Sequence, residues 1–590
     1  MKSLLITLGH NSSAIFVDGD TLIGYEEERL TGIKSDSQFP IDAINEIIKN
    51  VGLDAVMNCK TFISHWFDFA PTLEPNKYIS EKNLKFLQTI SSEIVCVSPE
   101  MTHHDAHAYS GKAFFNYHMN HLHPQQVETV KKAIEKNPKV HVLVADGFGN
   151  EGEVLSIYEM EDYTKNSKDL KLVKRVYGYE NSIGLLYQYA TSYVGMKENE
   201  DEYKFLGYEA HIDEYLDKNQ IKFLDSKIEE LTNVLWTGYQ TSSKTTYMPS
   251  EGNIINFKRL EEVKRYFHYV FQTCYENVWG DKSMAKYSKD ENTFIQRTIV
   301  AYVLQQTVEH FFTKICKEFS ISNAIVVGGS FYNVKLNNCI FHNIDGLFCA
   351  MPLAGDQGAA IGMYDYYTNE QFNFETLCIG KRSFYAAEKV FKNDYHREGT
   401  DELAKEIARH IADGKIVNLV HGNLEFGPRA LMHTSSLFIP SVDNTAQNNS
   451  NNLRNEVMPC APVLLRKNAN ILFGQENIDR VIGSDEFMIL THEYKRDYSK
   501  LYGGVMHKIV LQNGYSGRPQ IVREGTFEEK ILMYLEELCD IKCIVNTSFN
   551  KHGTPILFRL KQIRDDHNFQ VEHSKLNGYK QVPLIYVIED

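Results

Sequence analysis

The chain has no C-x-x-C pair, and its ten cysteines are scattered singly along 590 residues. That excludes a zinc ribbon and a disulfide-built scaffold. It fits a reducing compartment, so a cytoplasmic protein is expected. No apolar stretch approaches the roughly 18 residues that a membrane-spanning helix needs, so no membrane partner is expected. The opening MKSLLITLGHNSSAIF breaks its apolar run at Gly9 and His10, too early for a secretory signal. Basic charge is also in deficit. A net charge of −15 disfavours polymeric nucleic acid and anionic lipid as partners, while a local basic pocket for a small anion or a nucleotide stays open.

What is present reads as globular, with 43% hydrophobic residues to fill cores and a length that calls for two or more domains. SLLITLGH and SAIFVDGDTLIGYEEE read as strands, the second run turning at Asp18-Gly19-Asp20. A similar unit recurs at KVHVLVADGFGNEGEVLSIYEME, with Asp146, Gly147 and Gly149 at the bend. Each alone is an ordinary hairpin. Together they suggest a duplicated α/β core with a cleft between its halves. The spacing predicts a long helix over 285–318, then a buried strand ending in Gly328-Gly329. In MPLAGDQGAAIGMYDYY, Asp356 opens a helix of small residues, as a ligand-facing acid or as a plain N-cap. Residues 365–400 read as a linker, and a second α/β pattern starts near 400. The asparagine-rich stretch over 440–456 reads as a mobile loop or as a lid.

The stretch THHDAHAYSG puts His103 and His107 four residues apart, on one face of a helix, where two imidazoles can grip one cation. His104 stands where zinc metalloproteases of the H-E-x-x-H type carry their general base, so that chemistry is excluded. A histidine-rich surface helix is the plainer alternative. With Asp146 and Asp356 in glycine turns, the pair becomes a two-His, two-Asp set suited to iron, manganese or magnesium rather than structural zinc.

In order along the chain stand HHxxH, DGxG-E, EYKxxG, VxGG-N, GDxGxAxG, GPRAL and NTSFNxxGxPI. This series resembles the O-carbamoyltransferase family of the NodU/CmcH type over nearly the whole length. The resemblance implies an α/β protein with a duplicated ASKHA (actin/hexokinase-like) domain, 1–375, and a YrdC-like α/β domain, 376–590. It implies that carbamoyl phosphate and ATP form carbamoyl-adenylate in the second domain. The carbamoyl group then passes to a hydroxyl in the first. His103, His107, Asp146 and Asp356 match the family's metal ligands, usually read as Fe2+, with Mn2+ or Mg2+ as alternatives. Gly328, Gly329 and Asn333 match a nucleotide-binding turn, joined by Glu202 and Lys204 of the EYK motif. His10 and Lys34 match catalytic positions, and His10 or His104 is the candidate for taking the acceptor's proton. Arg429, Arg454, Arg518, Asn546, Ser548 and Asn550 match the pocket for carbamoyl phosphate and adenylate. Arginine forks suit such an anion.

Three departures bear on that pocket. Thr434 replaces an arginine of the family pattern, Met458 and Cys460 replace an arginine and an aromatic, and NGYSGRPQ carries one extra residue before Arg518. The acceptor is expected to be a hydroxylated small molecule: a sugar, an antibiotic, or a hydroxymethyl nucleobase. The segment 210–285 matches none of the motifs and is expected to line or cover the acceptor site. A homodimer is compatible with the sequence. Two other readings stand beside this one: a sugar-kinase-like ATPase, and a metal- and nucleotide-binding regulator without turnover.

Overall fold

The computed structural model describes residues 1–64, 79–161, 170–243, 257–454, 460–495, 505–509, 511 and 514–590. Two five-stranded sheets form the N-terminal half. The first comprises β1 (Ser3–Thr7), β2 (Ser13–Asp18), β3 (Thr21–Glu26), β4 (Cys59–Ile63) and β5 (Ser91–Cys96), in the order β3-β2-β1-β4-β5. The second comprises β6 (Val140–Ala145), β7 (Glu153–Met160), β8 (Lys171–Tyr177), β9 (Asn323–Val327) and β10 (Phe348–Ala350), in the order β8-β7-β6-β9-β10. In each, the first three strands run antiparallel and the last two join the first in parallel. The sequence duplication is therefore a fold duplication, with the order of the actin/hexokinase type. The central strands SLLIT, VHVLVA and NAIVV are buried throughout, which is why they read as apolar runs without alternation.

Each half closes with a helix after its last strand: His103–Asn120 in the first and Asp356–Thr368 in the second. The two pack against each other between the sheets, in a core with Phe114, Ile325, Val327 and Ile361. Gly362 sets their approach, since a Cβ there would lie 1.8 Å from the Ala106 carbonyl oxygen. The His103 helix starts at a capping box. The Thr102 hydroxyl accepts from Asp105 N, and the Asp105 carboxylate accepts from Thr102 N at 2.8 Å.

A third, seven-stranded mixed sheet gathers β11 (Tyr395–His396), β12 (Val417–His421), β13 (Thr434–Phe438) and β14 (Ala461–Leu464) with strands Gln520–Ile521, Ile544–Ser548 and Leu584–Ile588. Residues 365–400 are not a loose linker. Phe372, Phe374, Leu377, Cys378 and Ile379 are buried in the core of the paired helices. Gly24 N donates to Ile379 O, and Phe426 N donates to Leu377 O, so this strap binds both halves of the chain. The asparagine-rich stretch is in part a helix, Val442–Asn451, with Gln447, Asn448 and Asn451 buried. Among the described residues, no helix is long and apolar enough to cross a membrane.

Candidate active site

The duplication explains how four distant residues meet. His103 and Asp356 are the first residues of the two closing helices, and Asp146 follows β6 as Gly9-His10 follows β1. His103 Nε2 lies 3.2 Å from Asp356 Oδ1, 3.3 Å from Asp146 Oδ2 and 3.2 Å from His107 Nε2. His107 Nε2 lies 3.6 and 3.7 Å from the same carboxylate oxygens. Four lone-pair donors at such spacing match the ligand-to-ligand edges around one ion bound at roughly 2.1 Å, and the nitrogen–oxygen mix suits a borderline divalent metal.

The surroundings fix the donors. His103 Nδ1 lies 3.1 Å from Ser64 O, which places its proton there and leaves Nε2 free to coordinate. Gly329 N donates to Asp146 Oδ1 at 3.1 Å, and a Cβ on Gly329 would lie 2.7 Å from that oxygen. Gly328, at φ +102°, would drive a Cβ to 2.3 Å from Ala145 O, so both glycines are required. Burial opposes charge on all four ligands, yet their mutual pairing wins. Asp356 and Asp146 are held well below the ordinary carboxylate range, and His103 and His107 are pushed up. The cluster is built to hold positive charge between two carboxylates.

A cavity of about 1120 Å³ opens onto this cluster and reaches the third sheet. Its wall includes His10, Lys34, His103, Asp146, Asp356, Gly329, Asn333 and Glu202 from the duplicated half. From the other half come Arg429, Arg454, Arg518, Asn546, Ser548 and Asn550. Arg429 and Arg518 are neighbours in this wall, each half-buried. Arg429 Nε and Arg518 Nη1 have no hydrogen-bond partner, and no carboxylate among the described residues pairs with either side chain. Two adjacent half-buried guanidiniums, each with a shielded nitrogen and no counter-ion, repel one another, and an anion in the cavity would supply the missing partner.

Several expected residues take other roles. His104 does not line the cavity; its fully buried ring points away, with Nδ1 2.9 Å from Ser156 Oγ, and burial pushes its pKa well down. A ring without access cannot take a substrate proton, which corrects its assignment as a catalytic residue. His107 stands behind His103, and Gly328 shapes the turn from outside the wall. Lys204 lies outside the wall, with Nζ 2.9 Å from Asp201 Oδ1 and 3.3 Å from His552 Nδ1. Asn333 caps helix Val334–Asn343, and its Nδ2 donates to Tyr187 OH at 2.8 Å. Arg454 is occupied by the NTSFN turn, donating to Thr547 Oγ1 at 2.6 Å and to Ser548 Oγ at 2.8 Å. Asn546 Nδ2 donates to Ala430 O at 3.0 Å and so steadies the GPRAL loop.

Thr434, where the family pattern has an arginine, lies outside the cavity wall and accepts a hydrogen bond from another segment. Arg382, on the strap, donates to Thr434 Oγ1, to Gly422 O at 3.2 Å and to His433 O at 3.1 Å. Cys460 lines the cavity, and Met458 lies outside the described residues. None of the described residues of 210–285 lines the cavity. Their helices, Lys218–Thr241 and Phe257–Val278, pack with Lys289–Glu318, so the expectation that they line or cover an acceptor site finds no support there. Sequence reading missed Tyr187, Tyr203, Tyr332 and His552, which also form the wall. His552 sits inside NTSFNKHGTPI, Tyr203 inside EYK and Tyr332 beside Asn333 in the glycine turn, where the motifs were the available signal; Tyr187 carried none.

Comparison with known proteins identifies the family. A model described as Carbamoyltransferase N-terminus matches residues 135–364, and one described as Carbamoyltransferase C-terminus matches residues 408–573, together more than half of the chain. An uncharacterized protein of Methanocaldococcus jannaschii is 24% identical, with 93% of each chain covered. Nodulation protein NolNO of Sinorhizobium fredii is 23% identical over 93% of this chain and 75% of its own. Nodulation protein U of Azorhizobium caulinodans is 25% identical over 44% of each. Among solved structures, full-length HypF aligns at 15% identity over 61% of this chain and 54% of its own, with a TM-score of 0.29. The chain belongs to the carbamoyltransferase family and is an enzyme of carbamoyl transfer.

Proposed function

We propose that the protein is an ATP-dependent O-carbamoyltransferase that consumes carbamoyl phosphate and works through carbamoyl-adenylate. One observation supports this above the others: a single cavity joins the two-His, two-Asp cluster to two half-buried guanidiniums that lack a carboxylate partner among the described residues.

In the first reaction, carbamoyl phosphate, ATP and one water give carbamoyl-adenylate, phosphate and pyrophosphate. Arg429 and Arg518 are placed to bind the phosphoryl groups, while Asn546 and the Arg454-braced NTSFN turn hold the shape of that pocket. In the second, the acceptor hydroxyl attacks the carbamoyl carbon, the carbon–oxygen bond to AMP breaks, and the hydroxyl proton leaves to a base. With His104 turned away, His10 is the remaining candidate of the pair for that role, and it lines the cavity, as His552 does. His103, His107, Asp146 and Asp356 would hold a divalent ion, Fe2+ by the family resemblance. Such an ion would offset phosphate charge and polarise the carbamoyl oxygen. Keeping both steps in one cavity limits exposure of the adenylate to water.

The test is product mass. Purified protein with ATP, carbamoyl phosphate and an extract of hydroxylated metabolites should yield species heavier by one carbamoyl unit. A product heavier by one phosphoryl group would support the sugar-kinase reading instead, and no new product would support the regulator.

A further inference from the structure

A second cluster of metal-binding side chains lies outside the cavity, in the C-terminal half. His421 ends β12, His433 immediately precedes β13, and Glu528 lies on helix Phe527–Cys539. One donor atom from each lies within 4.8 Å of the other two. We propose that His421, His433 and Glu528 bind a divalent ion of the zinc class, which clips the base of the loop carrying Arg429 to helix Phe527–Cys539.

The arrangement has the parts such a site requires. His421 Nδ1 faces Glu528 Oε1 at 2.6 Å, and His433 Nε2 faces the same oxygen at 3.7 Å. Ligand atoms around tetrahedral zinc stand roughly 3.3 Å apart, so a small rotation of Glu528 evens the two edges. On its far side, His421 Nε2 lies 3.2 Å from Asp590 Oδ1. A carboxylate there holds the proton on Nε2 and turns the Nδ1 lone pair inward, the usual outer support of a metal-bound histidine. The His433 side chain is 21% exposed, which leaves room for ion entry and for water as a fourth ligand.

A plain ion pair accounts for less. It explains His421 between two carboxylates but not His433. The His433 ring stacks on His421 with centroids 5.1 Å apart and planes at 20°. Its Nδ1 is buried without a partner, and its Nε2 is beyond hydrogen-bond reach of the carboxylate it faces. A cation shared with Glu528 would give Nε2 a partner, while Nδ1 stays without one. The cluster also sits where a clip has an effect. His421 N donates to His433 O at 3.1 Å, closing the base of the 422–432 loop, and Arg429 projects from that loop into the cavity.

The experiment uses the full chain, stripped with chelator and then dialysed against buffered Zn2+. The variant His433→Phe keeps a stacking ring and removes the donor. Wild type is expected to retain one Zn2+ per chain more than His433→Phe, and Zn2+ should raise the melting temperature of wild type further than that of the variant. Glu528→Gln, which preserves the hydrogen bond to His421, should lose the same equivalent and serves if His433→Phe does not fold. Equal zinc content and equal thermal response in wild type and the folded variant would overturn the proposal. Because the cavity cluster is intact in all three proteins, its own metal does not enter the difference.

Discussion

His103 Nε2 stands 3.2 Å from Asp356 Oδ1, and the two are the first residues of the helices that close the two halves of a duplicated fold. A contact between residues 253 positions apart thus follows from the symmetry of the core. Helix packing at Gly362 holds that contact in place.

Removing a ligand should remove the metal. His107→Ala is expected to weaken binding by more than the roughly 100-fold that loss of an outer hydrogen-bond partner costs. His104→Gln should leave metal content unchanged, because its ring bonds Ser156 and faces away. Metal per chain after dialysis, with Fe2+ supplied under nitrogen, checks both.

The helix crossing should be equally sensitive. Gly362→Val places atoms where the Ala106 carbonyl oxygen now lies, and overpacking of this kind costs about 3 kcal/mol. Thermal unfolding should show the loss. Metal affinity should fall with it, although residue 362 touches no ligand, because the shift separates Asp356 from His103.

Arg518→Met should have two opposite effects. Removing a half-buried charge that stands beside Arg429 without a carboxylate partner should leave the ligand-free protein no less stable, while binding of carbamoyl phosphate weakens by about 30-fold or more, about 2 kcal/mol. Thermal shift with and without carbamoyl phosphate reads both. A variant destabilised when empty and unchanged in binding would count against an anion pocket there.

Acid stability should be limited by His118. Its ring is buried beside Phe114 and Phe487, and burial, with Arg523 nearby, pushes its pKa down to about 3. The unfolded chain takes up this proton below about pH 6.5, and the folded chain does not. The contribution is therefore fully present above pH 6.5 and is lost as pH falls from 6.5 toward 3. His118→Leu should flatten denaturation midpoints across that window.

Much of this was legible in the sequence. Asp146 and Asp356 stood in glycine turns, His103 and His107 at helical spacing, and GPRAL and NTSFN in family order. Two strand–glycine–strand units signalled the duplication. Other features depend on tertiary placement and left no local mark. The strap over 365–400 looked unstructured because its apolar residues follow no single period, yet its core contacts and its Arg382 bonds come from distant segments. His104 sat within the motif, and only the position of Ser156 shows that its ring faces away. Arg454 read as a free phosphate ligand, whereas its partners lie 93 or more positions along the chain. The 210–285 segment was assigned to an acceptor site because it matched no motif, and its described helices prove to be packing elements.

The proposed chemistry rests on Arg429 and Arg518 holding carbamoyl phosphate for activation by ATP, in the cavity that also opens onto His103, Asp146 and Asp356. Pyrophosphate release from ATP, measured with and without carbamoyl phosphate in wild type and in Arg518→Met, tests it most directly. Release is expected to require carbamoyl phosphate and, at carbamoyl phosphate concentrations limiting for wild type, to fall about 30-fold or more in Arg518→Met. Release independent of carbamoyl phosphate, or equal in the two proteins, would contradict it.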